Sequence, residues 1–212
     1  MKKLATLAMG MVLSMSVMAN TAYDKGVYYI IQDTKDSYQK AFPYFKQAAE
    51  EGDKYAQQRL GSMYSLGQGV QQDYQKAAEW YTKAANQGDA IAQYNLGQIY
   101  LQGQGIPQDY HKAIEWYTKA ANQGYAFAQN NLGTMYENGN GIHQDYKQAF
   151  NWYAKAAAQN HATAQNNIGN MYYNGWGVRQ SYSLAKEWYS KACDNSYQES
   201  CYKYHALNQQ GF

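Results

Sequence analysis

The hydrophobic and polar positions of this chain recur with a period of 36 residues. In four copies a Trp-Tyr pair stands among apolar residues spaced three or four apart, which is the spacing that gives an α-helix one apolar face. The pairs are Trp80-Tyr81, Trp116-Tyr117, Trp152-Tyr153 and Trp188-Tyr189. We name this segment the H helix. In one copy it should run from 74 to about 87, and we expect its Trp and Tyr side chains to belong to the core.

Capping residues mark both ends of the predicted H helices. Asp and Ser accept hydrogen bonds from the free N–H groups of a first helical turn. The residues at that position are Asp73, Asp109, Asp145, Ser181 and, in the first copy, Ser37. Gly88, Gly124 and Asn160 follow the helices, where a left-handed residue commonly ends them. Pro43 falls inside the first H helix and is expected to delay its start or kink it.

A second helix, the C helix, follows each H helix. In one copy it should run from about Ala90 to Gln102, with Ala92, Leu96 and Tyr100 on one face. Glycine recurs inside it, at Gly61, Gly97, Gly133 and Gly169. A glycine inside a helix costs about 1 kcal/mol relative to alanine. We therefore expect a neighbouring helix to approach closely at these positions.

Each helix pair has an apolar face that only a neighbouring pair can cover, so the pairs should stack. The predicted fold is all-α, a right-handed α/α solenoid of about four to five helix-pair repeats. At the N-terminal end Tyr28 matches the register of Tyr64, but no glycine is expected to accompany it. The predicted segments are a signal peptide (1–19), an N-terminal capping segment (20–36), the repeats (37–192) and a C-terminal capping helix (193–212).

The first residues resemble a secretory signal peptide. Lys2 and Lys3 precede an apolar stretch over 4–17, and Val17-Met18-Ala19 is the best cleavage site. An uncleaved anchor is the alternative, although the stretch is shorter than the ~20 residues that a spanning helix needs. We expect a mature chain that begins near Asn20 and lies in the periplasm, or alternatively is secreted.

Charge and histidine placement exclude several classes of partner. The chain has 18 basic and 16 acidic residues, and loss of Lys2 and Lys3 would make the two equal. No clustered basic face of the kind that binds nucleic acid is visible, and no membrane contact is expected after cleavage. The four histidines have no metal-binding spacing and are expected to be exposed: His111, His143, His161 and His205. No metal or cofactor is predicted.

Several motifs together resemble one repeat family. Leu96-Gly97 precedes Tyr100 by three residues, and an Ala-x-x-x-Tyr motif ends at Tyr117. This order is that of the tetratricopeptide pattern, whose period is about 34 residues. The longer Gly-x-Gly connection and the Trp-Tyr-x-Lys-Ala-Ala motif resemble the Sel-one-like repeat family over nearly all of 37–209. The resemblance implies a solenoid scaffold, with members in secretion, envelope processes, host contact and immunity against delivered toxins.

The two cysteines stand in the last repeat. The Cys-x7-Cys spacing of Cys193 and Cys201 is similar to the cysteine-rich secreted branch of that family. Exported chains with an even number of cysteines usually pair them. We predict a disulfide between the last H helix and the final C helix, with a redox or metal role as the alternative.

The chain is predicted not to be an enzyme. Ser37 and Ser183 each begin a Ser-x-x-Lys motif, which is typical of penicillin-recognising serine enzymes, but Ser-Asp-Asn and Lys-Thr-Gly are missing from the sequence. The alternative function is an enzyme that binds or hydrolyses β-lactams or peptidoglycan fragments. A ladder of asparagines is interpreted as bracing of the backbone: Asn95, Asn131 and Asn167.

The chain is predicted to be an exported protein–protein interaction scaffold. Two uses are expected: an immunity protein against a periplasm-delivered toxin, or an envelope-complex adaptor. A secreted host-interacting factor is an alternative. The C helices of tetratricopeptide-like stacks line a concave groove, and aromatic residues favour interface cores. The predicted partner-binding residues are Tyr55, Gln58, Ile91, Tyr94, Gln98, Leu101, Phe127, Asn130, Thr134, Glu137, Asn166, Asn170 and Tyr173. The alternative is that these aromatics pack between C helices. Trp176, between two glycines, is either an anchor for the partner or a plug over the end of the stack.

Overall fold

The structure is a computed structural model that describes residues 21–212. These residues form eleven α-helices and no β-strand. In chain order the helices are α1 (Ala22–Ile31), α2 (Ser37–Glu50), α3 (Lys54–Leu66), α4 (Tyr74–Asn86), α5 (Ala90–Gln102), α6 (Tyr110–Asn122), α7 (Ala126–Asn138), α8 (Tyr146–Ala157), α9 (Ala162–Asn174), α10 (Tyr182–Asp194) and α11 (Gln198–Gln209). The predicted signal peptide and its cleavage site lie outside the described residues.

The alternation of H and C helices is confirmed. The even-numbered helices α2 to α10 are H helices, and the odd-numbered helices α1 to α11 are C helices. The predicted bounds of α4 and α5 agree with the structure to within one residue. The chain divides into a first compact unit, 21–92 with 104–107, and a second one, 93–103 with 108–212. No helix in the described range is long and apolar enough to cross a membrane.

The predicted caps of the later H helices are confirmed. Asp73 and Asp109 each accept a hydrogen bond of 3.0 Å from a backbone N–H of the first turn. These bonds lower the pKa of both carboxyl groups. Asp145 and Ser181 cap α8 and α10 in the same way.

The first H helix begins differently from the prediction. Ser37 is not a cap but the first residue of α2, and its side chain is buried. Its N–H donates to the carbonyl of Thr34 at 2.9 Å, so a turn leads directly into the helix. Pro43 lies inside α2 without delaying its start, so the delayed start is wrong, and the kink stays a prediction. The helix continues around a residue that lacks one backbone donor.

A glycine of the C helix packs on a tyrosine of the next H helix at four places in the described chain. A Cβ atom on Gly133 would lie 2.7 Å from the ring of Tyr153. The same contact joins Gly97 to Tyr117 and Gly169 to Tyr189 in the second unit, and Gly61 to Tyr81 in the first. The close approach predicted for the C helices is confirmed, and it is made by a buried ring of the next H helix.

The first C helix shares this packing, contrary to the prediction. Gly26 is buried in α1, and a Cβ there would lie 2.8 Å from the ring of Phe45. The spacing from Gly26 to Gly61 is one residue shorter than the 36-residue period. A search at constant spacing therefore misses the glycine.

The tryptophans lie at the edge of the core instead of inside it. Trp80 is half-buried in the first unit, and Trp116, Trp152 and Trp188 are half-buried in the second. A lysine ammonium lies over each ring, 3.8–4.1 Å from its centroid. The lysine stands three residues after the tryptophan, so both occupy one helix face. The prediction of a core role is confirmed for the tyrosines, whereas the tryptophans are only partly buried, with Trp80 and Trp188 packed against the core from its edge.

Buried glutamines brace the backbone in both units. In the second unit the Gln129 amide nitrogen donates to the carbonyl of Ala121 at 3.0 Å, and its oxygen accepts from Gln159 at 2.9 Å. In the first unit the Gln57 amide nitrogen donates to the carbonyl of Ala49 at 3.0 Å, and the Gln57 side-chain oxygen accepts from Gln87 at 2.8 Å.

The hydrogen bonds of two ladder asparagines involve side chains instead. Asn167 donates to the side-chain oxygen of Asn130 at 3.2 Å, and the Asn131 side-chain oxygen accepts from the Asn130 amide at 3.4 Å. The backbone-bracing interpretation is therefore wrong for Asn131 and Asn167.

Gln129→Ala should lower the free energy of unfolding by about 1–3 kcal/mol. The change removes two hydrogen bonds of a buried amide, one to the Ala121 carbonyl and one from Gln159, and each such bond contributes about 0.5–1.5 kcal/mol. The Gly124 N–H still donates to the Ala121 carbonyl, and Gln159 still donates to the Gly124 carbonyl. Denaturant unfolding of the variant measures the loss. Gln39→Ala, at an exposed position of α2, is the control and should change stability by less than about 0.5 kcal/mol. Equal values for the two variants would contradict a bracing role.

The predicted disulfide is confirmed. Cys193 in α10 and Cys201 in α11 are bonded, with their Cα atoms 4.7 Å apart. α11 also buries Ser200 and Leu207. The ring of Phe212 lies 4.7 Å from that of Tyr182, so the last described residues fold back onto α10.

Candidate functional site

The predicted partner-binding residues fall in both units. In the first unit Tyr55 and Ile91 are exposed, and Gln58 is half-buried. The Lys54 ammonium lies 5.0 Å from the centre of the Tyr55 ring. The other predicted residues belong to the second unit, where they occupy α5, α7, α9 and the turn after α9.

Four aromatic side chains gather at the N-terminal ends of α5, α7 and α9; we name them the aromatic cluster: Tyr94, Tyr125, Phe127 and His161. The Phe127 ring lies 6.1 Å from Tyr94, 5.6 Å from Tyr125 and 4.8 Å from His161, centre to centre. Phe127 is nevertheless 52% exposed. The aromatics thus pack between C helices, as the alternative proposed, and still present an apolar surface.

Sequence reasoning missed two members of this cluster. Tyr125 and His161 stand immediately before α7 and α9, where Asp53 precedes α3 and caps it. This position changes from copy to copy while the frame stays constant. Variation at a position of an otherwise constant repeat indicates a residue that is free to serve binding, and this signal could have identified Tyr125 and His161.

A row of polar side chains continues along the same helices. Gln98, Thr134 and Asn170 stand at one repeat position, and each has a side-chain oxygen bonded to the hydroxyl of a core tyrosine. The Tyr117 hydroxyl donates a hydrogen bond to Gln98 at 2.7 Å, and the Tyr189 hydroxyl donates one to Asn170 at 2.9 Å. The hydroxyls of Thr134 and Tyr153 share a hydrogen bond of 3.0 Å. Burial raises the pKa of all three tyrosines, so they stay neutral donors. The core therefore fixes the orientation of these surface residues.

Glu137 and Leu101 complete the row. The Tyr153 hydroxyl donates to the Glu137 carboxylate, and the negative charge adds to burial in raising the pKa of that tyrosine. Leu101 is half-buried, and its carbonyl accepts from Gln108 at 2.7 Å. The row is therefore polar and nearly uncharged.

Two of the predicted residues do not reach the surface. Asn130 and Asn166 are buried. The Asn166 side-chain oxygen accepts from Ser200 at 2.9 Å and from Lys203 at 3.2 Å. These asparagines join neighbouring C helices and are not part of an exposed surface.

Trp176 packs against an internal repeat. Its ring stacks on that of Tyr146 at the start of α8, with centroids 5.5 Å apart and planes 19° apart. Gly177 lies against the same backbone, because a Cβ there would be 2.6 Å from a Tyr146 backbone atom. Trp176 remains 38% exposed. One face of the Trp176 ring packs against Tyr146, and the rest of the side chain is exposed to solvent.

The expectation of exposed histidines is wrong for His161. Its ring nitrogen Nδ1 accepts a 3.2 Å hydrogen bond from the backbone N–H of Ala164 and so caps α9. Burial lowers its pKa below the usual value. His111, His143 and His205 are exposed. No group of three His, Cys, Asp or Glu within 21–212 could hold a metal ion.

Acid should destabilise the protein through His161. A histidine whose pKa is lowered by folding contributes stability that is present above its unfolded pKa, about 6.5, and is lost as the pH falls below it. His161→Asn keeps a cap acceptor that does not titrate. Its melting temperature should therefore fall less than that of the wild type between about pH 7.5 and 5.5. His205→Asn should behave like the wild type, and an identical pH profile for all three would contradict the assignment.

The two Ser-x-x-Lys motifs have ordinary structural roles. Ser37 is buried at the start of α2. Ser183 lies in the first turn of α10, and the Lys186 ammonium donates to the carbonyl oxygen of Phe212.

Comparison with known proteins identifies the repeat. The Sel1 repeat model matches five consecutive segments, 13–53, 54–89, 90–125, 126–161 and 162–197. The chain belongs to the Sel1 repeat family. No curated protein sequence matches it. Sel1 repeats mediate protein–protein interaction.

Solved structures extend this finding. A protective antigen present in uropathogenic Escherichia coli strains, with an SLR fold, is 34% identical with a TM-score of 0.84; the match covers 90% of this chain but only 41% of that one. A Sel1 repeat protein of Oxalobacter formigenes is 32% identical, with a TM-score of 0.76; the match covers 83% of this chain and 70% of that one. Cysteine rich protein B of Helicobacter pylori is 25% identical, with a TM-score of 0.50; the match covers 61% of this chain and 93% of that one.

Proposed function

We propose that this Sel1 repeat protein is an exported scaffold that binds a polypeptide partner with the C helices of its second unit. We name the exposed and half-exposed side chains there the C-helix surface: Tyr94, Gln98, Leu101, Phe127, Thr134, Glu137, Asn170, Tyr173 and Trp176. Tyr55, Gln58 and Ile91 are proposed as a separate contact of the first unit.

The observation that carries this proposal is the exposure of Phe127 within the aromatic cluster. A large apolar ring that is half in water gains about 25 cal/mol for each Å² that a partner covers. Its neighbours Tyr94 and His161 hold it in place, so little side-chain freedom is lost on binding. The fixed polar row beside it supplies hydrogen bonds, with Glu137 as its one charged side chain.

Export is supported by two observations. A disulfide forms and persists in oxidising compartments such as the periplasm or the cell exterior, and Cys193 and Cys201 are bonded. Residues 1–19 also have the pattern of a signal peptide. We propose the periplasm as the location, with secretion as the alternative.

The partner separates the proposed uses of the scaffold. A toxin that the wild-type chain binds and neutralises in the periplasm defines an immunity protein. A resident envelope protein defines an adaptor, and a host protein bound by the secreted chain defines a host-interacting factor. Identification of the partner by affinity capture and mass spectrometry, followed by a binding measurement with the purified pair, distinguishes the three.

Phe127→Ser should weaken binding of the identified partner about tenfold or more, because central aromatic anchors commonly contribute above 1.4 kcal/mol. Leu184→Ser is the matched control, since Leu184 is an exposed apolar residue of α10 outside the C-helix surface. It should leave the dissociation constant unchanged. The opposite ranking of the two variants would refute the proposed surface. Melting curves of both variants confirm that each is folded.

A further inference from the structure

A cavity of about 340 Å³ lies between α9 and α11 in the second unit. Pockets that bind small ligands span about 300–1,000 Å³, so it can hold one large side chain with part of its backbone. Its wall includes Asn170, Tyr173, Tyr189, Lys203, Ala206 and Leu207. Ala206 stands where earlier C helices carry Gln98, Thr134 and Asn170. The short side chain of Ala206 leaves this space open in the last repeat.

The wall of the cavity combines apolar surface with hydrogen-bond donors. Tyr189 and Leu207 are buried beneath it. The Asn170 side-chain oxygen accepts from the Tyr189 hydroxyl at 2.9 Å and from the Lys203 ammonium at 3.1 Å. Two donors on the oxygen fix the orientation of this amide, which leaves its NH₂ group for a ligand. No acidic residue belongs to the described wall.

Lys203 is held in place more firmly than other ion-paired lysines of the described chain. Its side chain is 30% exposed, against 45–56% for the four others. The ammonium donates to Asn166 and Asn170 at 3.2 and 3.1 Å. Earlier repeats have Asn95, Asn131 and Asn167 at the same position. A positioned positive charge is thus particular to this cavity.

One exposed carboxylate competes for that charge. Glu199 lies 2.7 Å from the Lys203 ammonium, and its side chain is 60% exposed. An exposed pair four residues apart on a helix contributes little to stability. The Tyr197 hydroxyl also donates to Glu199, in an exposed bond of 3.3 Å. Glu199 can therefore exchange both contacts for water when another carboxylate approaches Lys203 from the cavity.

We propose that this cavity binds the C-terminal residue of a partner polypeptide. The apolar side chain of that residue lies against Tyr189 and Leu207, and its terminal carboxylate accepts hydrogen bonds from Lys203 and Asn170. This assignment rests on the proposed function and specifies the chemistry of the partner: an uncapped C terminus that ends in a large apolar residue.

The test uses the full chain and two fluorescein-labelled peptides, Gly-Gly-Gly-Leu with a free carboxylate and the same peptide as its C-terminal amide. Fluorescence anisotropy should show about tenfold tighter binding of the acid, because a charge-assisted hydrogen bond is lost in the amide. Lys203→Met should reduce binding of the acid to the level of the amide. Ala206→Gln, which fills the cavity, should weaken binding of both peptides.

Glu199→Gln gives the sharpest result, because it should improve binding. Removal of the competing carboxylate should tighten binding of the acid about two- to fivefold and leave the amide unchanged. Glu115→Gln is the matched control, since Glu115 pairs with Lys119 at the same helical spacing on α6, at 2.6 Å. It should affect neither peptide. Melting curves confirm that each variant is folded.

Equal binding of acid and amide, or an unchanged affinity in Lys203→Met, would overturn the carboxylate assignment. That failure is distinguishable from failure of the proposed function. If the peptides show no preference while Phe127→Ser still weakens the protein partner, the C-helix surface stands and the cavity assignment falls. If the acid binds as expected while Phe127→Ser has no effect on the partner, the proposed surface falls.

Discussion

Tyr153→Ala should lower the free energy of unfolding by about 3–5 kcal/mol, the range for loss of a large buried aromatic side chain. The Tyr153 ring is fully buried and packs on Gly133 of the preceding C helix. Its hydroxyl also bonds to Thr134 at 3.0 Å and to Glu137. The substitution therefore opens a cavity between repeats and removes both hydrogen bonds. Denaturant unfolding, with constant slope as the check on two-state behaviour, measures the loss.

A second substitution makes this prediction specific to the glycine–tyrosine contact. In the wild type, Gly133→Ala should destabilise by about 1–3 kcal/mol because the new Cβ meets the ring. In the Tyr153→Ala background the ring is gone, and the same change should be neutral or stabilise by up to about 1 kcal/mol through helix propensity. Additive effects in this double-mutant cycle would contradict close packing as the reason for the glycine.

Removal of the disulfide should cost about 2–5 kcal/mol. The bond joins α10 to α11, the last helix of the described chain, which buries little besides Ser200 and Leu207. The double variant Cys193→Ser with Cys201→Ser should unfold at lower denaturant, and amide exchange in α11 should accelerate more than in α8.

Reductant supplies the control for this second prediction. The wild type under reducing conditions should match the double variant, and the double variant should be insensitive to reductant. An unchanged unfolding midpoint after complete reduction would show that α11 is held by packing alone. Exchange that accelerates equally in every helix would show that the bond stabilises the chain globally instead of bracing its end.

The frame of the fold could be predicted from the sequence because its causes recur. The glycine of a C helix and the tyrosine it contacts, such as Gly133 and Tyr153, recur at the same spacing. Their recurrence shows both the register of the helices and the contact between them. Gly26 makes the same contact but was missed because a connection shorter by one residue breaks the constant spacing. Gln129 was missed for a different reason: glutamine is common on surfaces, and nothing in one sequence distinguishes a buried amide.

The candidate site was predicted less completely because it depends on positions that do not recur. Phe127 was identified from its place on the C helix, and it is exposed as a partner contact requires. Asn130 was placed on the same face but is buried, since Asn167 of the next C helix bonds to it. Tyr125 and His161 replace an expected cap, so helical spacing alone gave no reason to include them. Periodicity locates the helices, whereas the depth of a polar side chain depends on its neighbour in the next repeat.

Site-specific photo-crosslinking tests the central claim most directly. A benzophenone amino acid is placed at Phe127 or Tyr173, on the C-helix surface, and at Leu184 or Tyr110, which are exposed elsewhere on the second unit. We predict that the first two positions give a crosslinked adduct with one polypeptide of defined mass in the living cell, and that the second two do not. Adducts confined to positions 184 and 110, or no polypeptide adduct at 127 and 173, would contradict the account.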